Sequence, residues 1–169
     1  APFAPSVETE KIYDDAVATG RGFALERGNA IHALLQFLPE LVPDKRDAAL
    51  YGWLAAQAAH WPGEEREAVA AQVRAILGTP ELENLFAPDS RAEANIAGYV
   101  KVGGKPVLVS GQIDRLAMTE DEIVIADYKS NRDVPESAED VPLGYVVQLA
   151  LYRALMREIR PSKQVRGLL

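Results

Sequence analysis

Asp114, Asp127 and Lys129 are the residues of this 169-residue chain whose types and spacing can do chemistry. Carboxylates are hard oxygen ligands for divalent cations, and an ammonium beside them can meet a phosphate oxygen or the water that attacks it. The elements that must position them are legible. Apolar residues alternate through Val107, Val109 and Ile113, a polar turn follows at Thr119-Glu120-Asp121-Glu122, and Ile123 and Ile125 resume the pattern. That alternation predicts a β-hairpin. Its two-residue period puts Ile123, Ile125, Asp127 and Lys129 on one face, with Asp114 near the same end of the partner strand. Two carboxylates and a lysine then meet at one end of a sheet, a place for a divalent metal and a phosphate. An Asp-x-Lys pair alone is more often a solvated cross-strand ion pair.

Around this hairpin the pattern predicts helices first and strands later. Residues 1–18 carry prolines and acids with little periodicity and read as a linker or arm. Ile31, Leu34, Leu35 and Leu38 fall at helical spacing in a helix over about Glu26–Leu38, with His32 beside the stripe. A second helix is expected from an Asp44 N-cap to the break at Pro62-Gly63, and a third from Glu64 to Leu77, closed by Gly78. Thr79-Pro80-Glu81 opens a short helix. The period then changes to two: strands at Arg91–Lys101, Val107–Met118 and Ile123–Lys129, with a turn over Gly103–Pro106. A polar loop over Ser130–Gly144 precedes a helix over about Tyr145–Ile159, and Gln164–Leu169 begins a last strand. Gln148 and Tyr152 lie one helical turn apart. His60, before the Pro-Gly break, reads as structural. Periodicity alone gives a mixed α/β domain containing a three-strand meander, helical over about 19–90 and carrying its sheet and last helix over about 91–169.

Gly111-Gln112-Ile113-Asp114-Arg115-Leu116, Asp127-Tyr128-Lys129 and Gln148-Leu149-Ala150-Leu151-Tyr152 resemble the motifs of the PD-(D/E)xK nuclease superfamily. Gly28-Asn29-Ala30-Ile31-His32 resembles the Gly-xxx-His element of its RecB/AddA branch, the C-terminal nuclease domain of bacterial double-strand-break repair helicase-nucleases. The motifs stand in that family's order, from about Arg27 to the C-terminus. The resemblance implies a restriction-endonuclease-like αβββαβ core with a helical N-terminal extension. It implies Mg²⁺, or Mn²⁺ in its place, held by His32, Asp114, Asp127 and the Tyr128 carbonyl. It makes Lys129, Asp127 and Asp114 catalytic, Glu93 an acid that orients water, and Gln148 and Tyr152 contacts to the DNA backbone.

Composition sets bounds. A 48% hydrophobic chain of this length can bury one sizeable core. With no cysteine it can form neither disulfides nor a thiolate-held iron–sulfur cluster. Relatives such as the AddB-type nuclease carry such a cluster, so AddA is the nearer resemblance. No apolar run reaches membrane-spanning length and no signal-peptide pattern stands at the start, so a cytoplasmic protein is expected. The extended opening APFAPSVETE reads like a linker cut from something longer. A net charge of −7 argues against strong autonomous DNA binding. Arg153, Arg157, Arg160, Lys163 and Arg166 nonetheless crowd the end of the chain, as though a basic end lay next to an acidic metal site.

The function expected is a metal-dependent DNA exonuclease, with DNA delivered by the helicase part of the same longer chain and an AddB-like subunit as partner. Two alternatives stay open: a DNA-end-binding or assembly domain of the same fold without catalysis, and an RNA or small-molecule phosphodiesterase.

Overall fold

The structure, a computed structural model, describes residues 22–129 and 137–169. The expected linker at 1–18 and much of the expected polar loop lie outside the described residues.

Helix α1, Gly22–Phe37, buries Ile31, Leu34 and Leu35, and the 3₁₀ turn after it buries Leu38. That is the stripe its spacing predicts. Helix α2, Pro43–Gln57, begins differently from expectation. Val42 occupies the N-cap and Pro43 the first helical position, because proline's fixed φ suits that place and its missing N–H is no loss there. Asp44 therefore sits inside the first turn, where its charge opposes the helix dipole. Helix α3, Gly63–Leu77, carries Glu64 and Glu65 in its first turn and ends at Gly78, whose N–H donates to the Arg74 carbonyl at 2.8 Å. Arg74 also grips Asp47 of α2 through two hydrogen bonds of 2.9 and 2.8 Å. Thr79-Pro80 opens a 3₁₀ segment, Pro80–Phe86.

The sheet has strand order β1-β2-β3-β4. Strands β1 (Arg91–Val102), β2 (Lys105–Met118) and β3 (Glu122–Ala126) form an antiparallel meander. Gly103 and Gly104, at φ 57° and 78°, make the two-residue turn between the first two, a conformation that leaves glycine the natural occupant. The turn is thus shorter than expected, and Pro106 lies within β2, opposite Lys101. Helix α4 (Leu143–Ile159) then crosses over to β4 (Gln164–Leu168), which pairs parallel with β3. A parallel neighbour cannot be reached by a hairpin, so the crossover helix is obligatory.

Four consecutive residues of β3, Ile123 to Ala126, are buried, as expected for a strand covered on both faces. Helices α1–α3 pack Leu34, Leu35, Leu50, Leu54, Val69 and Val73 with Ala117, Val124 and Ala126 on one face. On the other, Tyr152, Leu155 and Met156 of α4 pack with Val109, Ile113, Ile123, Ile125 and Val165. The mixed α/β fold expected from the sequence is present: three helices, three antiparallel strands, a crossover helix and a parallel strand, an order compatible with the restriction-endonuclease-like fold.

Strand β3 ends at Ala126 rather than Lys129. Beyond it the backbone donors turn to other acceptors: Asp127 N–H bonds the Leu168 carbonyl at 3.1 Å, and Tyr128 N–H bonds the Asp114 carboxylate.

Candidate active site

Register builds the site. Arg115 pairs with Ala126, so the next step sets Asp114 opposite Asp127. The Asp114 Oδ2 accepts the Tyr128 N–H at 2.6 Å, and its side chain is mostly withdrawn from water. Burial pushes the Asp114 carboxyl up to about 6; the neighbouring Asp127 adds to the rise, while His32 and the Tyr128 N–H oppose it. Two carboxylates facing each other cannot both ionise cheaply without a cation between them. Beside them, burial drives the Tyr128 phenol above its ordinary range, and its hydroxyl finds no hydrogen-bond partner among the described residues.

Among the described residues Lys129 supplies the nearest positive charge. Its Nζ lies 2.6 Å from Asp127 Oδ2, 3.4 Å from Gln148 Oε1 and 4.3 Å from the centre of the Tyr145 ring. Gln148 in turn donates to the Tyr152 hydroxyl at 3.2 Å. Tyr152 can come so close to the sheet because Gly111 stands beneath it: a Cβ at that position would collide with the phenol oxygen. One face of α4 thus presents Tyr145, Gln148 and Tyr152 along the strand ends.

His32 reaches the same place from the opposite layer. Its Nε2 is 2.9 Å from the Tyr128 carbonyl oxygen and its Nδ1 3.7 Å from Asp114 Oδ1. A carbonyl only accepts, so Nε2 is the donor in that bond. Glu93 lies on β1 between the residues that pair with Ile113 and Arg115, directly across from Asp114. Its φ of 52° is left-handed, a rare conformation for glutamate. At the same level β2 departs from simple alternation: Ile113 and Leu116 pack towards α4, while Arg115 and Ala117 face the helical layer. Such a local irregularity re-aims a side chain, here that of Asp114. Glu93 itself makes no hydrogen bond or ion pair with another described residue.

All eight expected site residues except Glu93 are therefore joined by contact. Two neighbours carried no expected role. Tyr145 touches Lys129, and only the helix register relative to the sheet reveals it. Arg115, 1% exposed, donates to Ser90 Oγ at 2.7 and 3.0 Å, to the carbonyls of Leu85 and Gln36, and to Glu40. It holds the end of α1 and the segment before β1 against the strand that carries Asp114. His60, as expected, serves structure, with Nε2 2.9 Å from Glu26 Oε2.

The basic C-terminal stretch is not beside the site. Gln164 pairs with Glu122 and Leu168 with Ala126, so Lys163 belongs to the opposite end of β3 from Asp127, and Arg166, opposite Val124 in mid-strand, sends its guanidinium to that end. There Lys163 donates to the Thr119 carbonyl at 2.8 Å and Arg166 pairs with Glu122 at 3.3 Å. The parallel entry of β4 imposes this placement.

Among the described residues no three His, Asp or Glu side chains are gathered closely enough to hold a metal ion. The candidate donors instead engage one another: His32 with the Tyr128 carbonyl, Asp114 with the Tyr128 N–H, Asp127 with Lys129. Their chemistry nevertheless fits a hard divalent cation. Among the described residues Asp127 Oδ2 is buried with an ion pair but no hydrogen bond, and it faces a second carboxylate, so two hard oxygen donors stand together.

No curated protein matches the chain. Among solved structures, "Crystal structure of SSO0001" aligns at 17% identity with a TM-score of 0.29, a likeness too slight to bear on the fold. The alignment covers 75% of this chain and 55% of that one, so the chain spans about half of its length. A profile of the PD-(D/E)xK nuclease superfamily, by contrast, matches residues 11–168. That match takes in the strand pair bearing Asp114 and Asp127, the crossover helix and the closing strand, and on it the chain belongs to the PD-(D/E)xK nuclease superfamily.

Proposed function

We propose that this chain is a metal-dependent DNA exonuclease domain of the RecB/AddA type, hydrolysing phosphodiester bonds as part of a helicase-nuclease of double-strand-break repair. The observation that carries the reading is the pair of facing carboxylates, Asp114 and Asp127, with Lys129 at 2.6 Å from the second. Asp114, Asp127, His32 and the Tyr128 carbonyl would hold Mg²⁺, or Mn²⁺ in its place. Bound there, a divalent cation neutralises charge on the scissile phosphate and makes water a better nucleophile.

The chain's own residues do the rest. Lys129 orients the attacking water or meets the developing charge on a non-bridging oxygen. Gln148 and Tyr152, linked to each other and to Lys129, fix the backbone of the substrate. Glu93, across from Asp114, adds an acceptor for water at the site. DNA is the substrate and the helicase part of the same longer chain the partner that delivers it, together with an AddB-like subunit, in the cytoplasm. The net charge of −7 supports that dependence, because the domain by itself has little electrostatic hold on a polyanion. Among the described residues no helix is long and apolar enough to cross a membrane.

The test is incubation with linear DNA, single- and double-stranded, with Mg²⁺ or Mn²⁺ and with EDTA. Metal-dependent release of nucleotides from an end is expected. Cleavage that persists in EDTA, or none with either metal on any linear DNA, overturns the reading.

A further inference from the structure

We propose that Tyr145 is a positioning residue for Lys129, holding its ammonium over the ring face so that the lysine stays at the site when Asp127 turns to a cation. The inference rests on the catalytic reading of Lys129. Among the described residues three groups surround that ammonium: Asp127 Oδ2 at 2.6 Å, Gln148 Oε1 at 3.4 Å and the Tyr145 ring at 4.3 Å. They are not equivalent. Asp127 is both the strongest partner of Lys129 and a carboxylate that a divalent cation claims. Once it is claimed, the ammonium faces a like charge and, among the described residues, keeps its two partners on α4.

Those two are matched to the task. Tyr145 and Gln148 stand three residues apart on one helix face, so a single rigid element presents a π-face and an amide oxygen together. Tyr145 is half-buried at the rim of a groove of about 690 Å³ lined by Leu108, Leu143, Val147 and Leu151. Half-burial already takes part of the ring out of water, and cation–π attraction strengthens as water is removed. An aliphatic side chain there would leave Lys129 with the more distant Gln148 amide and lean it more heavily on Asp127, in competition with the metal.

A double-mutant cycle on Mn²⁺ affinity, read by electron paramagnetic resonance of free Mn²⁺, isolates this role. Tyr145→Leu should lower affinity about three- to tenfold while Lys129 is present and leave it unchanged in the Lys129→Ala background. Tyr145→Phe keeps the ring and should match the parent. Cleavage should follow: kcat falls in Tyr145→Leu with KM for DNA held, and Phe restores it. An equal loss of affinity in both backgrounds, or a failure of Phe to restore, overturns the inference, because a merely structural ring would not act through Lys129. If Lys129→Ala cleaves as well as the parent, the catalytic reading falls and this inference with it. If Lys129→Ala is inactive but Tyr145→Leu matches the parent in both assays, the inference alone is overturned.

Discussion

The Asp114 carboxylate accepts the backbone N–H of Tyr128 across a distance of 2.6 Å. One motif thereby fastens the other: the β2 carboxylate takes the place of a ladder acceptor just where β3 stops pairing. The Asp114 carboxylate is anchored by the backbone, whereas among the described residues the Asp127 carboxylate is held by the Lys129 charge.

This asymmetry separates the two alanine variants. Asp114→Ala and Asp127→Ala should both abolish Mn²⁺ binding and DNA cleavage. Asp114→Ala also orphans the Tyr128 N–H and should cost about 1–3 kcal/mol of stability. Asp127→Ala relieves a carboxylate repulsion and should leave the melting temperature in EDTA unchanged or raised. Thermal melts beside a cleavage assay decide it; a cleaving Asp127→Ala would refute the site.

The raised carboxyl makes stability depend on pH. Asp114 titrates at about 6 in the folded chain against an ordinary value of 3.8. Between those values the folded state holds more protons than the unfolded, so this group's contribution falls as pH rises from about 4 to 6 and is level above. In EDTA, the melting temperature of the parent relative to Asp114→Asn should drop across that window. Added Mn²⁺, which needs the ionised form, should raise the parent's melting temperature more at pH 7 than at pH 5. A flat difference curve would show that Asp114 titrates normally.

Lys129 should divide binding from chemistry. While protonated it cannot be a ligand, and its departure frees Asp127. Lys129→Ala is expected to retain or improve Mn²⁺ affinity by calorimetric titration while cleavage falls by roughly 10²–10³. Loss of metal binding as complete as that of Asp127→Ala would make the Asp127–Lys129 contact a structural ion pair.

Gly111 is required by the approach of α4. Gly111→Ala places a methyl against the Tyr152 phenol, and the overpacked helix should cost about 1–3 kcal/mol in urea melts. Combined with Tyr152→Leu, the two changes should cost less than their sum. Strict additivity would mean that the helix does not sit where the structure places it.

Lys163 lies at the far end of β3 from Asp127, and Arg166, opposite Val124, turns to Glu122 at that end. Lys163→Ala and Arg166→Ala should therefore leave KM for DNA within about twofold of the parent at low salt, where long-range charge acts most strongly. A tenfold rise in KM with either variant would bring the basic end into the DNA path.

What the sequence determined by itself was local. Alternation through Val107–Ile113 and Ile123–Ile125, helical spacing through Ile31–Leu38, and proline and glycine at the breaks name the elements, because these signals depend on residues a few positions apart. Motif order along the chain named the superfamily in the same way. Boundaries were less legible. Pro43 rather than Asp44 opens α2, and β3 ends at Ala126 because Asp114, fourteen residues away in sequence, captures the Tyr128 N–H.

Only tertiary structure decided which side chains meet. His32 and Tyr128 are 96 residues apart and touch because α1 packs against the face opposite α4. Tyr145 reaches Lys129 because Gly111 lets α4 settle against the sheet, and no pattern in the chain announces that approach. The crowding of basic residues late in the chain suggests a basic end beside the site, yet the parallel entry of β4 carries Lys163 to the far end of β3. Contacts of this kind depend on how layers stack and in which direction a strand enters. Those relations come from the packing of the whole chain, and local periodicity does not encode them.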